Sequence, residues 1–238
     1  MPMVDSWLLH LLNHWVARSP DAFANALRNT QEMPWQLAAL AFTAFWFMGT
    51  DGAVATEPGK RTRLENRQRV LLLFIATIIG YLVVNSLQLV VIRERPLLAA
   101  SLLAPIPPDV WQNIQSVFAQ PDSFPSDHAV LFLVITTGAF FFDRRLGVLA
   151  LLASLYLSAL RIGIGLRWPS DMLAGGLIGI LVTLLCLTLE PKLGRWLRPI
   201  ALQFEAHPRW AYVLGFLAIF DLSQQFAATQ ALLHLVTR

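Results

Sequence analysis

Three short polar clusters hold the residues best suited to chemistry: Arg93 and Arg95 with Pro96; Pro125-Ser126-Asp127-His128; and Arg161 with the Arg167 to Asp171 turn. A phosphate is an oxygen-rich anion, and arginine meets it with a planar, permanently charged fork of donors. Ser126 and Asp127 precede an apolar run, where N-cap residues stand. Such a helix start offers backbone N–H groups and a positive dipole end to an anion. His128 falls in the first turn, where it suits a general acid or base near neutral pH.

Each cluster also has a plainer reading. Arginines at the end of an apolar segment anchor it at the headgroups. Ser-Asp before a helix is a cap. A histidine in a first turn is often structural. Arg167 and Asp171, four apart, suit an ion pair. The functional reading rests on coincidence, because all three clusters end long apolar segments and can meet only if those segments run side by side.

Of 238 residues, 56% are hydrophobic and 14% charged, against about 45–50% and about 25% in soluble domains. Apolar stretches near the ~20 residues needed to cross hydrocarbon recur, so the chain reads as an integral membrane protein. The net charge is +3; the basic residues lie at segment ends and not on one face, which argues against nucleic-acid binding. Cys186 is the single cysteine, so an intrachain disulfide is excluded. The N-terminus lacks a basic region and Asp5 interrupts it, which argues against a cleaved signal peptide.

Residues 4–17 suit a helix lying in the interface, and Ser19-Pro20-Asp21 opens a second short amphipathic piece to about 30. Apolar spans are expected over about 34–50, 70–92, 126–143, 146–164 and 171–189, with a weaker one over 210–236. Residues 51–69, 97–125 and 190–208 read as loops, the second with a short helix over Trp111–Phe118. If the spans alternate, eleven Lys and Arg fall on one side and seven on the other. The first side is then cytoplasmic, and the candidate site faces the periplasm or the cell exterior.

The combined spacing resembles the type 2 phosphatidic acid phosphatase superfamily, which includes bacterial undecaprenyl-diphosphate phosphatases and lipid A phosphatases and phosphotransferases. Its pattern is Lys, six residues, Arg-Pro; then Pro-Ser-Gly-His; then Ser-Arg, five residues, His, three residues, Asp. Arg95-Pro96, Pro125-Ser126, His128, Arg161 and Asp171 match, over a core of about residues 70–190. The resemblance implies phosphate binding by Arg95, Arg161 and Ser126, with Arg93, Gln88 and Asp127 beside them, and catalytic positions at His128, Arg167 and Asp171.

Four positions depart from the pattern: Gln88 stands for the Lys, Asp127 for the Gly, Leu160 for the Ser, and Arg167 for the nucleophilic His. Arginine has no lone pair to offer and stays protonated, so a phosphohistidine route is closed. Asp171 is then free to pair with Arg167. Three readings follow: binding of a lipid phosphate without cleavage, group transfer by direct displacement, or an introduced substitution at 167.

The expected fold is all-α: one domain over 1–238, a polytopic bundle of about six membrane helices plus an N-terminal interfacial helix. The expected function is that of a plasma-membrane lipid-phosphate phosphatase or phosphotransferase-like protein acting on a polyprenyl phosphate or diphosphate. A lipid-phosphate receptor or carrier in cell-envelope polysaccharide assembly is the alternative. The expected partners are the bilayer and the lipid phosphate. No cofactor or metal is called for, because arginines stand where metal chemistry needs clustered carboxylates or histidines.

Overall fold

A computed structural model describes residues 3–48 and 63–223. Ten helices run through them: α1 (Met3–Val16), α2 (Pro20–Phe47), α3 (Arg63–Val90), α4 (Pro96–Ala99), α5 (Pro108–Val117), α6 (Asp127–Phe142), α7 (Arg144–Ile164), α8 (Pro169–Thr188), α9 (Glu190–Ala206) and α10 (Pro208–Ser223). The described residues include no strand, only an isolated bridge between Arg93 and Asp122.

The chain divides into two compact units, residues 1–34 with 76–183 and residues 35–75 with 184–238. Every expected site residue belongs to the first. There α1 packs on α7, fixed by Asn13, whose amide donates to the Leu103 and Gly163 carbonyls and accepts from the Leu103 N–H. Leu9, Ala129, Phe132, Leu157, Trp168 and Met172 form one core of this unit. Phe23, Leu97, Leu160, Ile164 and Leu166 form another. In the second unit, Phe42 packs edge-on against Phe74, and Trp46 against Phe204.

Among the described residues, three helices are long and apolar enough to cross a membrane: α3, α7 and α8. The 16 residues of α6 are apolar but shorter, about 24 Å at 1.5 Å per residue. Leu173, Leu177 and Leu181 on α8 are all more than half exposed. Their four-residue spacing makes a continuous apolar stripe of the kind lipid covers. On α1, Val4, Trp7, Leu11 and Trp15 make a second stripe, while Asp5, Leu9, Asn13 and Val16 are buried on the other face.

Several boundaries differ from those expected. The short amphipathic piece and the span from 34 are one continuous helix, α2, with Pro34 inside it. Residues 63–69 belong to α3. The expected loop at 97–125 holds most of α4 as well as α5, and α5 starts at Pro108, three residues before the expected short helix; proline suits a first helical position, where no N–H partner is needed. The basic stretch 190–206 is the helix α9, with Leu197 and Ala201 buried and Trp196 and Ile200 exposed. Its charge density suggested a loop, but its apolar residues recur at helical spacing. The last segment is helical over Pro208–Ser223, and its continuation, with Gln224 and Gln225, lies outside the described residues.

Gly175 brings α8 against the start of α6: a Cβ there would run into the Ser126 carbonyl oxygen. Gly176 faces only the Leu133 side chain, 3.3 Å from such a Cβ. Gly175→Val should therefore lower stability by about 2 kcal/mol through overpacking, while Gly176→Ala is tolerated. Thermal unfolding of the detergent-purified variants checks this; equal midpoints would remove the close approach from the account.

Candidate functional site

The turn into α8 is organised by Asp171. Pro169 takes the first helical position, and Asp171, two residues later, reaches back to accept the Trp168 N–H at 3.0 Å. This is the reciprocal half of a helix-start cap. The same oxygen accepts the Ser123 hydroxyl at 2.5 Å, and the other accepts from Arg93. Asp171 is fully buried. Its expected pairing with Arg167 is not what forms, because Arg93 reaches it first from the end of α3.

Arg93 is a strut. It joins Asp171 and Ser170 on one side to Asp5 of α1 on the other, at 3.0 Å. Asp5 also accepts the Ser170 N–H and hydroxyl, at 3.0 and 2.6 Å. The Arg93 guanidinium lies over the Trp168 ring, 5.3 Å from its centroid. Arg93, expected beside the phosphate, thus carries two carboxylates in this structure.

At the start of α6, Ser126 is the N-cap and accepts the Ala129 N–H. Its own N–H donates to the Asp171 carbonyl, which ties α6 to α8. The Asp127 carboxylate lies between the His128 imidazole and the Arg167 guanidinium, 3.1 Å from each. Arg167 further donates to the carbonyl oxygens of Asp122 and Ser123. Gln88, on α3, donates to the Pro125 carbonyl at 3.0 Å. It buttresses the loop before Ser126 and carries no charge.

Arg161 reaches the cluster from the last turn of α7. Gly165 ends that helix with φ at 87°, a left-handed conformation that glycine adopts without strain. Its carbonyl accepts the Leu97 N–H. Arg161 donates to the Thr30 carbonyl at 2.8 Å. Four residues on from Thr30 is Pro34, which has no N–H to fill that carbonyl in the helical ladder. The proline inside α2 thus leaves an acceptor for Arg161. Asp127, Arg167 and Arg95 all act on Arg161 through their charges.

Arg95 donates through Nε and Nη2 to one oxygen of Asp122, at 2.9 and 2.7 Å. Its guanidinium also lies over Phe118. Burial first, and the charge of Arg167 second, draw it below its ordinary pKa, with Asp122 opposing both.

The structure therefore brings Arg93, Arg95, Ser126, Asp127, His128, Arg161, Arg167 and Asp171 together, with Gln88 against the adjoining loop. Reasoning from the sequence missed Asp5, Asp122, Ser123 and Thr30. Asp5 had a signal, being the one acid on α1. Asp122 and Ser123 stand within six residues of His128. Thr30 had none beyond the proline four positions on.

An all-helical arrangement of the described residues, with long apolar helices, is that of the class of multi-pass membrane proteins. The PAP2 superfamily matches residues 69–195, more than half the chain, and the chain belongs to that superfamily. The chain is also similar to the bacitracin transport permease protein BcrC of Bacillus licheniformis. The two are 39% identical over 72 residues, which cover 30% of this chain and 36% of that protein. The match spans about a third of the relative's length. No solved structure matches the chain.

Removing Arg93 would strand two buried carboxylates. Arg93→Ala should lower stability by about 3 kcal/mol, as breaking one side of a buried pair does. Asp5→Asn should lower it less, since Arg93 keeps Asp171. Chemical unfolding in detergent measures both; Arg93→Ala matching wild type in stability would return Arg93 to the list of free phosphate donors.

Proposed function

We propose that the chain is a lipid-phosphate phosphatase or phosphotransferase-type protein whose site takes the headgroup of a polyprenyl phosphate or diphosphate at the extracytoplasmic face of the plasma membrane. One observation carries this reading: Arg161 and Arg167 lie beside His128 at the start of α6, with Arg95 acting on both arginines through its charge. Arg161 and Arg167 each keep a buried Nε–H that has no hydrogen-bond partner among the described residues. Buried donors of this kind call for an acceptor, and a phosphate oxygen supplies one. In this reading α1 lies in the interface, its Trp7–Trp15 face against lipid, and residues 1–238 act as one functional domain.

Arg167 carries no nucleophile, so the reaction that fits is direct displacement. His128 would take the proton of an attacking hydroxyl as its oxygen bonds to phosphorus, the P–O bond to the bridging oxygen would break and release the lipid alcohol or lipid monophosphate, and the arginines would stabilise charge on the phosphoryl oxygens. Binding without turnover, as in a receptor or carrier, is the second reading. It is favoured by Asp127, whose carboxylate holds both His128 and Arg167.

Orientation is tested by thiol labelling in a Cys186→Ala background. Ser101→Cys and Gln112→Cys should react with a membrane-impermeant reagent in intact cells, with the outer membrane permeabilised if present, and Arg145→Cys should not. The reverse pattern would put the site on the cytoplasmic side.

Activity is tested by phosphate release and transfer over a panel of lipid phosphates. Wild type should release phosphate at or near background. Arg167→His should raise release at least about tenfold, a gain of about 1.4 kcal/mol, because Asp171 and His128 then flank an imidazole; Gln88→Lys should raise it further. His128→Ala should abolish the gain. Strong wild-type hydrolysis that survives His128→Ala would move the reaction to other residues.

A further inference from the structure

Eight charged side chains close the site on itself. Arg93, Arg95, Arg161 and Arg167 stand with Asp5, Asp122, Asp127 and Asp171. With His128 neutral, their charges cancel. An arriving anion therefore finds no surplus positive charge and must exchange with a carboxylate already in place.

Burial decides which carboxylate can yield. The Asp171 side chain is 0% exposed, Asp5 5%, Asp127 19% and Asp122 39%. Asp122 is also held to Arg95 through one oxygen only. Its backbone is fastened independently of that oxygen. The Arg93 N–H donates to the Pro121 carbonyl and the Ser123 N–H to the Arg93 carbonyl, while Arg167 holds the carbonyls of 122 and 123. The carboxylate can thus rotate toward solvent while the loop stays where it is.

Building on the lipid-phosphate reading above, we propose that Asp122 is a specificity-determining residue, its carboxylate covering the face of Arg95 that a phosphate oxygen would take, so that the site admits phosphomonoesters and diphosphates and rejects phosphodiesters. A phosphodiester carries one negative charge. Exchanging it for Asp122 on Arg95 gains no net attraction and still requires its desolvation. A phosphomonoester near neutral pH, or a diphosphate, brings close to two charges or more. The surplus reaches the Nε–H of Arg161, which takes no protein acceptor among the described residues. Rejection of the wrong ligand by a competing charge is how sites discriminate without added affinity. In a bilayer it separates a rare lipid phosphate from the phosphodiester headgroups that surround it.

The test uses the purified full chain in neutral detergent at pH 8, with dodecyl phosphate and dodecyl methyl phosphate as probes of matched chain and different charge. Wild type should bind the monoester at least about tenfold more tightly than the diester. Asp122→Asn and Asp122→Ser should bring the two affinities within about threefold, chiefly by tightening the diester. Arg95→Ala should weaken both. A wild-type preference that persists unchanged in folded Asp122 variants would overturn the role of Asp122. So would equal wild-type affinities, a result that stands even if the variants fail to fold. Wild type binding neither ester would instead overturn the lipid-phosphate reading itself.

Discussion

Four guanidinium groups, three of them buried and Arg93 largely so, cannot be gathered unless each finds an anion or a carbonyl, because the desolvation of an unpaired charge exceeds what packing returns. The first unit of this protein is arranged around that constraint. Arg93 draws Asp5 from the N-terminal helix and Asp171 from α8; Arg95 draws Asp122 from the loop before α6; Arg167 draws Asp127 from the start of α6. Each pairing joins segments far apart in sequence, so satisfying the charges and assembling the fold are the same event. The N-terminal helix belongs to the site for this reason, although none of the motif residues lies on it.

Arg161 meets the constraint differently, through a backbone carbonyl. Thr30 can offer its oxygen because Pro34 leaves it out of the helical ladder. A residue that reads locally as a helix breaker thus supports a side chain 127 positions away. Gly165 performs the matching service on α7, ending the helix soon after Arg161 and turning the chain toward Arg167.

The clusters that carry chemistry were legible because their residue types are costly in a membrane protein and therefore placed for a reason. The apolar runs of α3, α6, α7 and α8 were legible because length and composition suffice to mark them. Pairing was not legible. Asp171 looked free to join Arg167, four residues back, yet Arg93 holds it, since a helix-start carboxylate that caps Trp168 is directed toward the end of α3. The α9 helix was hidden for a related reason: Lys192, Arg195 and Arg198 suggested a basic loop, while the apolar residues between them recur at helical spacing and bury Leu197 and Ala201.

A guanidinium at 167, where the superfamily pattern has an imidazole, changes the charge and the chemistry available to the site. An imidazole that is neutral near pH 7 adds a nucleophile and no fixed charge. Arg167 adds a permanent charge that needs a permanent partner, and Asp127 lies 3.1 Å away in the position where the superfamily pattern has glycine. The pair leaves the total charge unchanged while removing the atom that would attack phosphorus. On the proposed reading, such a balance makes the site respond to the charge a headgroup carries. In the proposed reading, headgroup recognition and phosphohistidine chemistry are separable, because Arg95 and Arg161, which would meet the phosphate, are distinct from position 167, which would attack it.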